Sequence, residues 1–88
     1  MRCLGTETKT PAEKVTLTAN WIRELNGASV SSVSWDAGGL TNENTATTSP
    51  LTSIRVAGGI SGNVYRVAAS MTSSTGEISE AYWNIQVD

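Results

Sequence analysis

Three glycines in five positions, Gly58, Gly59 and Gly62, run straight into the apolar segment "NVYRVAAS". A glycine-rich turn feeding a regular element is a common way to cradle a phosphate. That chemistry needs a strand before the turn and a helix after it, because the helix N-terminus supplies the amide donors, and usually a Lys-Ser/Thr pair. Here a strand-like run precedes the glycines, but apolar and polar positions alternate after them, and no lysine follows. The three glycines are expected to be turn residues with positive φ between two strands.

Other reactive constellations are missing as well. The chain has no histidine, which removes Ser-His and Cys-His catalysis and most zinc chemistry. Glu7, Glu13, Glu24, Asp36, Glu43, Glu77, Glu80 and Asp88 are spread along expected turns and outward strand positions, where solvated charge is the ordinary reading. "TNENT" sets Glu43 between two asparagines, one full negative charge where calcium needs several oxygen ligands. Neither a catalytic set, a metal site nor a cofactor is expected, and the chain does not read as an enzyme. Cys3 is the single cysteine, so no intrachain disulfide can form; it is a free thiol or bonds a neighbouring chain.

The elements that would position any site are short. A chain of 88 residues makes one domain with a small core. There is no phenylalanine, so three tryptophans and two tyrosines supply the aromatic bulk. Net charge is −2, and six basic residues scattered along the chain form no phosphate-binding stripe, which argues against nucleic acid. Serine and threonine make up about a quarter of the residues, a surface kept soluble by hydroxyls more than by charge. "MRCLGTETK" lacks the apolar stretch of a signal peptide, and no run is long enough to cross a membrane as a helix.

Val15, Leu17, Ala19 and Trp21 alternate with polar residues over a first half-buried strand. "WIRELNG" fits one helical turn stopped at Gly27, with Leu25 beneath the core. In "ASVSSVSW" the apolar parity changes between Val30 and Val33, so a β-bulge near Ser31-Ser32 is expected. The connection from Asp36 to Ser53 is polar and reads mostly as loop, with room for a short edge strand. Strands follow at "SIRVAGG", at "NVYRVAASMT", and, after an "SSTGE" hairpin, at "ISEAYWNIQV". The expected architecture is all-β: an immunoglobulin-like antiparallel β-sandwich of about six or seven strands over residues 11–88, preceded by an N-terminal arm, residues 1–10. A small barrel is the alternative.

Trp21, Leu25, Trp35, Tyr65, Trp83 and Ile85 are the expected core. Each tryptophan lies on the apolar parity of its strand, which disfavours an exposed platform for sugars. Tyr82 has the opposite parity to Trp83 and is the expected exposed aromatic. The arm has no evident place in a sandwich, so Met1, Arg2, Cys3 and Leu4, with Tyr82, are the candidate partner contacts.

Pro11, Glu13, Trp21, Leu25, Gly27, Trp35, Gly39, Leu40, Gly58, Gly59, Gly62, Tyr65, Gly76, Ile85 and Val87 together carry a resemblance. In that order they resemble the small immunoglobulin-like structural proteins of tailed bacteriophages, over residues 11 to 87. One departure is Asn20, where those proteins usually carry aspartate. The resemblance implies a virion component assembled in the host cytoplasm, touching capsid, tail or fibre subunits or further copies of itself, without nucleic acid or membrane partners. Capsid decoration leads, with a head, tail or fibre adaptor close behind. A carbohydrate- or cell-surface-binding module is the alternative.

Overall fold

The computed structural model describes residues 2–88; Met1, one of the candidate contacts, lies outside them. The elements are β1 (Arg2–Lys9), β2 (Val15–Asn20), α1 (Ile22–Leu25), β3 (Val30–Asp36), β4 (Thr41–Thr48), β5 (Leu51–Ala57), β6 (Val64–Ser73) and β7 (Ile78–Val87). They form a β-sandwich of two sheets, ordered β1-β7-β6-β3 and β2-β5-β4.

Alternation builds the core. Leu17 and Ala19 of β2 and Ile54 and Val56 of β5 point inward from one sheet, against Val67, Ala69 and Met71 of β6 and Ala81, Trp83, Ile85 and Val87 of β7. Burying an isoleucine such as Ile54 or Ile85 contributes about 2–3 kcal/mol of transfer free energy. The two sheets hold each other because neither could leave such a face in water. Trp21 closes one end of this core. Its indole Nε1 donates to Thr52 Oγ1 at 2.8 Å, so the largest buried side chain keeps its polar atom satisfied.

α1 is a single turn that buries Leu25. Its left-handed cap is Asn26, with φ of 48°, and Gly27 follows with positive φ, so the stop is one residue earlier than the glycine alone suggests. The β3–β6 register shifts between Val30 and Ser32, which is the expected bulge, and it brings Val30, Val33 and Trp35 against the core. Gly58, Gly59 and Gly62 all have positive φ in the β5–β6 connection.

Three expectations are corrected. The N-terminal segment is not an arm without a place in the sandwich: β1 pairs with β7 from Arg2↔Ala81 to Lys9↔Val87. That pair is parallel, so the larger sheet is mixed rather than wholly antiparallel. The segment is held at its end by Lys9, whose buried ammonium donates to the carbonyl oxygens of Thr10 and Gly58. Finally, the polar connection after Asp36 contains β4, eight residues paired with β5 and exposed on both faces.

Candidate interaction surface

Strand alternation that sends Val67, Ala69 and Met71 inward sends Val64, Arg66, Ala68, Ser70 and Thr72 of β6 outward. On β7 the same rule turns Ile78, Glu80, Tyr82, Asn84 and Gln86 to solvent. The antiparallel register then sets these side chains in rows. Ala68 lies across from Tyr82, Arg66 from Asn84, Ser70 from Glu80, Val64 from Gln86 and Thr72 from Ile78. The rows continue into the edge strands: Asp36 of β3 pairs with Ala68, Ser34 with Ser70, and Cys3 of β1 with Tyr82.

The middle of the face is low. An open hollow of about 200 Å³ lies over Ala68 and Ser70, bordered by Ser34, Asp36 and Glu80. The small floor residues create it, and two carboxylates give it a negative rim. Beside it stands a cation. The Arg66 guanidinium lies over the Tyr82 ring, 4.3 Å from its centroid, a contact worth about 0.5–1 kcal/mol at an exposed site. Val64 and Ile78, 62% and 66% exposed, stand at opposite ends of the face.

The structure therefore brings together two of the sequence-derived contacts, Cys3 and Tyr82, and separates two others. Arg2 turns to α1, where its guanidinium pairs with Glu24. Leu4 packs half-buried against the core. Trp21, Leu25, Trp83 and Ile85 are buried, while Trp35 and Tyr65 are half-buried. The Tyr65 hydroxyl oxygen accepts from the Ile60 amide at 2.8 Å and pins the glycine-rich connection. Sequence reasoning missed Arg66 and the hollow. The signal was present, because a hairpin turn at Ser73–Glu77 fixes the β6–β7 register and with it the neighbours of Tyr82.

Among the described residues, no cluster of acidic and cysteine side chains could hold a metal ion. The remaining charges serve local structure. The Thr10 amide donates to Glu13 Oε1 at 2.7 Å and holds that carboxyl below its ordinary range. Lys14 does the same for Glu43, by a hydrogen bond and by charge, across the outer face of the smaller sheet.

The family described as the podophage GP4 fiber-tail adaptor protein gp77 has a model that matches residues 9–86. No curated protein matches the sequence. The match takes in the sandwich from the last residue of β1 almost to the end of β7, and leaves most of β1 outside it.

Proposed function

The chain belongs to the podophage fiber-tail adaptor protein gp77 family, and from that premise we propose that it joins fibre to tail as a non-enzymatic component of a podophage virion. The observation that carries this reading is the extent of the match, which spans nearly the whole sandwich. An adaptor works by presenting a framework to its neighbours, and a seven-stranded sandwich with an open, mildly charged sheet face is such a framework. The strand order supports an immunoglobulin-like kinship: β2-β5-β4 and β3-β6-β7 keep the order of six constant-type strands, while β1, which would flank β2 there, pairs with β7 instead. Tyr65, near the start of β6 and bonded back to Ile60, occupies the place of its tyrosine corner.

Protein contact fits this surface better than sugar binding does. The indoles of Trp21 and Trp83 are buried and that of Trp35 is half-buried, so none offers a stacking platform. A capsid decoration role requires a lattice of repeated sites, and the adaptor family points instead to the tail. The chain would be made in the host cytoplasm and enter the particle there.

The test is quantitative mass spectrometry of purified particles, joined to chemical cross-linking. The expected result is a low, symmetry-matched copy number per particle and cross-links to tail and fibre subunits. Copies matching the major capsid protein, with cross-links to it, would replace the adaptor with a decoration protein. Absence from the particle would end the structural reading.

A further inference from the structure

We infer that the outer face of the four-stranded sheet is a self-complementary surface that binds a second copy of this chain about a twofold axis. The inference rests on reading that face as a protein-contact surface, and it names the partner. The argument is the order of the rows. The Ala68–Tyr82 row is the midline of the β6–β7 face. On one side of it come Arg66 with Asn84, then Val64 with Gln86. On the other side come Ser70 with Glu80, then Thr72 with Ile78.

Consider a twofold axis lying in the interface, across the strands and over that midline. It places each row of one copy on its mirror-ordered row in the other. Arg66 of one copy then comes down over Ser70 of the other, into the hollow bordered by Glu80, Ser34 and Asp36. Val64 of one copy lands on Thr72 of the other and Gln86 on Ile78, so the two most exposed apolar side chains of the face come to lie on neighbouring strands, diagonal to each other across the contact. Both contacts occur twice. A cationic knob matched to an anionic hollow at equal distances from one line, with the exposed apolar side chains brought diagonally close, is the condition that an isologous interface requires. A surface made for an unrelated protein has no reason to meet it twice.

Arg66 has no carboxylate partner within its own chain among the described residues; its recorded contact is the Tyr82 ring. Among the described residues, Glu80 and Asp36 likewise have no cation paired with them. Charges that are unpaired in one copy are thus paired by the second. Tyr82 and Cys3 lie on the midline, where each faces its own counterpart. The face measures roughly 14 by 30 Å from strand spacing and rise, about half the area of one side of a standard-size interface. The pair is therefore a weak, reversible dimer in free solution.

The experiment is sedimentation equilibrium of the full chain from micromolar to millimolar concentration, with Arg66→Glu, Glu80→Arg and the double variant. All three substitutions are on the exposed face, and circular dichroism checks that each variant folds. A bismaleimide bridging Cys3 to Cys3 gives a second readout of the same geometry. The expected result is a concentration-dependent dimer, weakened at least about tenfold by either single change, largely restored by the double, and weakened by salt. The cross-link should follow the same order. A chain that stays monomeric throughout overturns the inference and leaves the face to a different virion protein. A dimer indifferent to both charge reversals, or a double variant no better than the singles, overturns it equally. None of these outcomes bears on the adaptor reading, which particle composition tests separately.

Discussion

Trp35 and Trp83 stack with ring centroids 5.9 Å apart and planes inclined by 22°. They belong to strands that do not touch, since β6 lies between β3 and β7. The indoles meet because the intervening inward position is Ala69, across from Trp35 and almost fully buried. A methyl group leaves the space that two rings fill. Ala69→Leu should force the rings apart, costing about 1–3 kcal/mol by overpacking. The check is a urea midpoint together with loss of the paired-indole signal in circular dichroism. A stable variant with that signal intact would show that the space over Ala69 is not what joins the rings.

Trp35 also carries a shielded Nε1 with no hydrogen-bond partner. Removing that atom while keeping a ring should therefore be tolerated. Trp35→Phe is expected to change stability by less than about 1.5 kcal/mol, while Trp35→Ala should lose about 2–3 kcal/mol, below the usual range because one side of the ring is already open. Equal losses in the two variants would show that the indole nitrogen has a partner after all.

At the other end of the core, Thr52→Val keeps the shape and deletes the acceptor of the Trp21 N–H. The orphaned donor is enclosed by a side chain that is 1% exposed. The expected loss is about 1–3 kcal/mol, read from denaturant unfolding. Replacing Trp21 with Phe in that background should return part of it, because the orphan is then gone.

Gly38 and Gly27 separate two reasons for glycine. Both have positive φ, at 64° and 90°. A Cβ on Gly38 would lie 1.9 Å from the Arg66 carbonyl oxygen, whereas one on Gly27 would meet nothing within 4 Å. Gly27→Ala should cost only the left-handed strain, about 1–2 kcal/mol. Gly38→Ala adds a backbone collision and should cost at least about 3 kcal/mol. Similar midpoints for the two variants would mean that the β3–β4 connection yields freely.

Acid should weaken the fold in a defined window. Glu13 is held below its ordinary 4.5 by the Thr10 amide, and Glu43 by Lys14. Groups with lowered folded values stabilise the fold fully above 4.5, and that contribution disappears as pH falls through the lowered values. Urea midpoints should drop over this range, and Glu13→Gln with Glu43→Gln should flatten the drop. Salt should blunt the Glu43 part more, since a solvent-exposed ion pair is the more strongly screened.

The strands with a covered face were legible in the sequence, because burial writes a period of two. Val15 to Trp21 and Ala81 to Val87 are such runs, and even the bulge in β3 showed as a change of parity. β1 and β4 were not legible for the same reason. Thr41 to Thr48 buries no side chain, and in Arg2 to Lys9 only Lys9 is buried. These strands exist because a neighbour offers hydrogen bonds, a property of β5 and β7 rather than of the segments themselves. The interaction face needed the register as well as the pattern. Parity marks Tyr82 as outward, but only pairing across the hairpin brings Arg66, Ala68 and Glu80 around it.

Because β4 has no inward anchor, little in its side chains beyond the Glu43–Lys14 ion pair distinguishes one alignment on β5 from the next. A slip of one residue would cost no burial, where the same slip in β6 would turn the whole core outward. Apart from that exposed ion pair, its alignment is fixed by two local devices, the turn at Ser49-Pro50 and the irregularity between Asn42 and Asn44. β4 is therefore the part of the molecule with the least memory of its place, and its amides should be the first among the strands to exchange with deuterium.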